Sequence, residues 1–143
     1  MLGTEPQIKA AFVKTGQLKL VFAPVLNHGY PSEQSHQAVE CAAEHGKFWQ
    51  FHDVLFEHQE KLWTSSDIQS DLKNLAAESG LNATAFNSCL DEQRYAALIQ
   101  QQNEGRLRAG IRGQPVFDIN GTIFFGGQTF ETYQQTIEAA MPK

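Results

Sequence analysis

Apolar residues recur along most of this chain at the spacing of a helix face, and in two places the spacing falls to every second residue. Thr4-Glu5-Pro6-Gln7 reads as a helix start: Thr4 as an accepting cap, Pro6 in the first turn where its missing N–H costs little, and Gln7 closing a capping box. Ile8, Ala11 and Phe12 then share a face, and Gly16 stops the helix. Leu18-Lys19-Leu20-Val21-Phe22 alternates and favours β structure, which predicts a strand ending near Pro24 and a loop over residues 25 to 31. From Ser32 to about Ala109 every apolar pattern is helical, with Gly46, Gly80 and the capping residue Asn82 marking breaks. The stripes are Val39, Ala42 and Ala43; Phe48, Phe51, Val54, Leu55 and Leu62; Ile68, Leu72, Leu75 and Ala76; and Tyr95, Leu98 and Ile99. They predict four or five helices, the last with a solvated face at Gln100-Gln101-Gln102-Asn103-Glu104. After Gly110 the period becomes two: Val116-Phe117-Asp118-Ile119, an Asn120-Gly121 turn, then Thr122-Ile123-Phe124-Phe125, which predicts a hairpin. A final helix from about Thr129 to Ala140 carries Phe130, Tyr133 and Ile137 on one side.

Composition narrows the class of protein. The 143 residues, 41 % hydrophobic, are enough for one core and few for two, so a single domain over 1–143 is expected. A formal charge of −5 with scattered Lys and Arg provides no basic stripe for nucleic acid. No apolar run approaches the ~20 residues that span a bilayer, and the first residues lack the pattern of a signal peptide, so the expectation is a soluble chain without an export address. Cys41 and Cys89 are the only thiols; there is no Cys-x-x-Cys, and the chain by itself cannot run vicinal dithiol chemistry.

Other chemistry is sparse. His36 with Glu40, and Cys41 with His45, lie four apart and share helix faces, but these are pairs where a metal needs three or four converging ligands, so no metal site is expected. Phe48, Trp49, Phe51, Phe56 and Trp63 read as core before they read as a peptide groove. No phosphate loop, Ser-His-Asp order or paired-carboxylate motif stands out, and no catalytic residue or cofactor is expected.

The string Glu40-Cys41-Ala42-Ala43-Glu44-His45-Gly46-Lys47-Phe48-Trp49 with His52-Asp53-Val54-Leu55-Phe56, then Cys89-Leu90, then Gly110-Ile111-Arg112-Gly113-Gln114-Pro115-Val116-Phe117-Asp118-Ile119-Asn120-Gly121, resembles the DsbA-like branch of the thioredoxin superfamily. The resemblance covers nearly the whole chain. It implies an α/β thioredoxin-like fold, with thioredoxin-type parts at 1–31 and 110–143 and an all-helical insertion at about 32–109. In the family a strand and a Cys-x-x-Cys helix precede the segment resembling Thr4 to Lys9; they have no counterpart here, so the chain reads as N-terminally truncated.

The resemblance also implies a cis bond between Gln114 and Pro115, placing Gly113, Gln114 and Pro115 where the family holds a substrate's extended chain. In some members a pair matching Cys41 and Cys89 forms a structural disulfide; the bare sequence is equally compatible with two buried thiols. Three functions follow: a thiol–disulfide oxidoreductase domain left redox-inactive by the absent cysteines, a non-catalytic peptide-binding or assembly module, or a glutathione-using relative whose key residue lies elsewhere. Lacking its central strand, the sheet would expose unpaired edges at 18–22 and 116–119, and the expected solution is a homodimer or strand-swapped assembly. The implied partner is an extended peptide or unfolded protein. Family habit points to the periplasm or the outer cell surface, whereas the missing signal points to the cytoplasm or a lost N-terminus, which leaves the compartment open.

Overall fold

The computed structural model describes residues 3–141. The chain divides into two compact units, Met1–Ala23 with Leu107–Lys143 and, separately, Pro24–Arg106.

In the first unit, helix α1 (Glu5–Ile8), with Pro6 in its first turn, continues as a wider π-helical turn, Lys9–Val13. The widening is explicit at Lys14, whose N–H donates to the Lys9 carbonyl five residues back at 2.9 Å. Gly16, at φ 75°, supplies the left-handed residue that ends the element. The expected capping box is not formed. Thr4 already has helical dihedrals, which aim its hydroxyl away from the first N–H groups and toward the Gln128 carbonyl at 3.5 Å, while Gln7 donates back to the Gly3 carbonyl at 3.0 Å.

The hairpin forms with the anticipated ends: β1 (Val116–Ile119) pairs antiparallel with β2 (Thr122–Phe125), Val116 opposite Phe125 and Ile119 opposite Thr122. Asn120 and Gly121 take φ of 48° and 95°, and the Asp118 carboxylate accepts the Gly121 N–H at 2.7 Å. Helix α8 (Phe130–Ala140) is capped by Thr129, whose hydroxyl accepts from the Thr132 N–H at 3.3 Å. Ile8 and Phe12 of α1 meet Tyr133 and Ile137 of α8, and the cross-strand pair Phe117 and Phe124 both pack on the Tyr133 ring, at 4.9 and 5.8 Å between centroids. The opposite face of the hairpin is bare, with Ile123 48 % and Phe125 69 % exposed.

The strand expected at 18–22 is not formed. Its side chains still alternate, Leu18, Leu20 and Phe22 half-buried and Lys19, Val21 and Ala23 exposed, but the sheet among the described residues holds β1 and β2 and does not take the segment in, and a strand exists only as part of a ladder.

The second unit holds α2 (Tyr30–Ala43), α3 (Phe48–Glu57), α4 (Gln59–Trp63), α5 (Ile68–Glu78), α6 (Ala83–Asp91) and all but the last two residues of α7 (Ala96–Arg108). The expected stripe from Phe48 to Leu62 is two helices instead of one, because His58 leaves helical dihedrals at φ −104°, ψ 12°. Asn82 caps α6 by accepting the Ala85 N–H at 3.0 Å, and Lys47 caps the far end of α5, donating to the carbonyls of Ser79 and Gly80 at 3.3 and 3.0 Å. Ala38 and Ala42 on α2 are fully buried and let α5 and α6 approach it closely, with Leu72, Ala76, Phe86 and Leu90 filling the seam. Phe51 meets Phe86 edge-on at 5.4 Å. Cys41 of α2 and Cys89 of α6 are joined by a disulfide, 1 % and 0 % exposed.

Side chains tie the segment before α2 to the helices. Leu26 N–H donates to the Asn103 side-chain oxygen at 3.2 Å, and buried Arg106 donates to Asn103 and Asn27, each at 2.8 Å. Asn103 is therefore half-buried and structural, so the polar run of α7 is not wholly a solvated face. Val25 N–H donates to Nε2 of His36 at 3.3 Å, and burial, with nearby His52 adding in the same direction, lowers the His36 pKa to about 4.

Two predictions follow from these contacts. The Cys41–Cys89 bridge closes a separation of 48 residues, and replacing both cysteines by Ala should cost about 4 kcal/mol in the chain-entropy account, read as a lower urea midpoint. His36 has a folded pKa of about 4 against an ordinary 6.5. The unfolded chain therefore takes up the proton first, and stability should fall as pH drops from 6.5 towards 4, by about 3 kcal/mol in full. A His36→Gln variant should flatten that part of a urea-midpoint-against-pH curve.

Candidate functional site

The loop entering β1 is the first candidate. Gly110 takes φ 78° after α7, and residues 111 to 115 run without regular structure into Val116. The Gln114–Pro115 bond is cis. Pro115 is half-buried and its carbonyl accepts the Gly126 N–H at 2.9 Å, which anchors the loop to the end of β2. Gly113 and Gln114 are exposed, and a Cβ built on Gly113 meets nothing within 4 Å. The loop thus offers a stretch of backbone to solvent at the head of the hairpin.

The disulfide is the second candidate, and its surroundings decide its chemistry. The Glu44 carboxylate lies 3.8 Å from Cys89 Sγ. Arg94 grips both oxygens of Glu44 at 2.8 Å and Tyr95 donates its hydroxyl at 3.0 Å. Those hydrogen bonds, Arg94's first, hold the Glu44 carboxyl below the usual range, so it is ionised at neutral pH. Burial, then the hydrogen bond to Glu44, pushes the Tyr95 phenol up. An anionic oxygen beside a sulfur disfavours a thiolate there, and solvent exposure near zero denies an attacking thiol access. The bridge is built to persist. Nothing local in the sequence announced the Glu44–Arg94 pair, whose partners lie 50 residues apart; only the fold of α2 against α6 joins them.

The histidines are dispersed among other tasks. His36 accepts from the backbone of Val25, and His52, buried, has Nδ1 2.9 Å from an Asp53 oxygen. Cys41, in the disulfide, offers no thiolate to pair with His45. The aromatic segment is partly core: Phe51 is buried, while Phe48, Trp49 and Phe56 gather around the His52 ring at centroid distances of 6.4, 5.3 and 4.7 Å. Trp63 stays partly exposed and stacks on His28 at 4.5 Å.

Residues 2–139 match the sequence model of the thioredoxin family. The chain is 28 % identical over 139 residues to a Na(+)/H(+) antiporter NhaA 3 of Salinispora tropica, covering 95 % of this chain and 20 % of the antiporter. It is 24 % identical over 138 residues to disulfide bond formation protein D of Bacillus subtilis, covering 93 % of this chain and 61 % of that protein. Over 104 residues it is 29 % identical to an antiporter NhaA 1 of Salinispora arenicola, 73 % of this chain and 15 % of the relative. This chain therefore spans about three fifths of the Bacillus protein and a fifth or less of the two antiporters. A family match running from residue 2 to 139, over a chain with a hairpin entered through Gly-Gln-Pro and a helical block carrying its own disulfide, gives one assignment: the chain belongs to the thioredoxin family.

Proposed function

We propose that these 143 residues carry the fold and the peptide-facing loop of a thiol–disulfide oxidoreductase without a redox centre of their own. The observation that carries this reading is the fate of the thiols: the only two cysteines are bonded to each other in the helical core, with a carboxylate against one sulfur. Exchange needs an accessible, low-pKa thiolate, and neither cysteine supplies one. The Bacillus relative, a disulfide bond formation protein, supports disulfide chemistry as the family setting. The antiporter relatives do not bring ion transport with them, since the match covers a small share of each and no helix among the described residues is long and apolar enough to cross a membrane.

The exposed backbone at Gly113 and Gln114 is the peptide-holding element of this reading, recognising main chain more than side chains. A second copy of the chain is the partner proposed for the hairpin. Support comes from β1, which pairs only with β2 among the described residues, and from the bare apolar face at Ile123 and Phe125.

Insulin reduction by dithiothreitol should run no faster with this protein than without it, while a cysteine-free extended peptide should bind saturably, with binding lost in Gly113→Trp, at an exposed position where an added Cβ meets nothing within 4 Å. Turnover in the first assay would refute the absence of a redox centre, and binding unaltered by Gly113→Trp would refute the loop's role. Light scattering at micromolar concentration should report a dimer that Ile123→Lys with Phe125→Lys converts to monomer; a monomeric wild type would end the assembly proposal.

A further inference from the structure

Between the first turns of α2 and the start of α7 lies a cavity of about 70 Å³. Tyr30, Glu33, Gln34 and Gln37 line it at the i, i+3, i+4 and i+7 positions of one helix face, with Gln93 and Gln100 opposite. No lysine or arginine lines it. Two of its oxygens are engaged: Gln34 Oε1 accepts from Gln69 at 3.1 Å, and Glu33 Oε1 from Gln100 at 3.2 Å. Gln37 differs. It is 3 % exposed, and its Oε1 is buried without a hydrogen-bond partner among the described residues. A buried amide oxygen left this way is costly and ordinarily finds a donor. Gln93 holds a left-handed φ of 49° in the turn before α7, a conformation uncommon for a residue with a Cβ.

The wall thus combines one carboxylate with glutamine amides and the Tyr30 hydroxyl, and among its amide oxygens that of Gln37 has no partner. The carboxylate and that oxygen favour a cationic N–H donor over an anion. The volume suits a head group of a few heavy atoms, since a single water needs ~10–15 Å³ on this measure. We propose that the cavity is a binding site for a primary ammonium group, which donates to Gln37 Oε1 and is balanced by the Glu33 carboxylate. The group belongs either to a free small amine or to a lysine side chain. This proposal does not depend on the redox reading.

Methylammonium chloride titrated into the ¹⁵N-labelled full chain tests it. Saturable shifts of amides in 30–37 and 93–100 are expected, weakened about tenfold in Gln37→Leu and a few-fold in Glu33→Gln, which sits at the cavity rim and leaves the core untouched. Tetramethylammonium, which has no N–H, and potassium chloride should leave those amides in place. Equal binding of either control would overturn the ammonium assignment. A linear, unsaturated response to methylammonium, or unchanged affinity in both variants, would overturn the site. Nα-acetyl-lysine amide separates the two sources: tighter binding than methylammonium marks a lysine subsite, weaker binding a free-amine site.

Discussion

The helical block depends on how near α2 comes to α5 and α6. Ala38 and Ala42 contribute almost no side-chain thickness, and they share one buried cluster with Leu72, Ala76, Phe86 and Leu90. That proximity brings Cys41 within 5.9 Å Cα–Cα of Cys89, a separation that permits a disulfide. It also brings Glu44, at the end of α2, to Arg94 and Tyr95 just beyond α6. A larger residue at 38 or 42 would push these partners apart together, so the bridge, the ion pair and the core are one arrangement seen at three depths.

Much of this was legible in the sequence because it rests on local rules. Asn120-Gly121 set the hairpin, Asn82 and Thr129 opened helices where their side chains could accept an N–H, and Gly16, Gly46 and Gly80 ended segments with positive φ. What failed was partly non-local. The segment 18–22 has the right side-chain period but does not join the sheet of the described residues, which a reading along the chain cannot detect. The capping box failed because Thr4 is already helical, and the long stripe from Phe48 divided at His58 by a backbone departure that the apolar spacing hides. The candidate loop at 113–115 came into view through family resemblance; the spacing of its residues carried no such information. The cavity beside Gln37 was invisible, since it needs residues sixty positions apart in two helices whose glutamines read as ordinary polar faces.

The two units divide the labour of a thioredoxin-family chain in an instructive way. The helical unit spends its cysteines on permanence, with an ionised carboxylate guarding the bridge against thiolate formation. The hairpin unit keeps its backbone accessible at Gly113 and Gln114 and leaves one face uncovered. Rigidity and exposure are segregated along the sequence, the first in Pro24–Arg106 and the second around it.

The alternation at residues 18 to 23 has a consequence for register. Side-chain direction there is already decided, with Leu18, Leu20 and Phe22 turned one way and Lys19 and Val21 the other. Any strand that zips onto this segment meets a template that tolerates shifts of two residues but not of one, because a single-residue slip would turn the incoming strand's own apolar side chains to the opposite face. Pairing specificity is therefore encoded in a segment that is not assigned as a strand among the described residues.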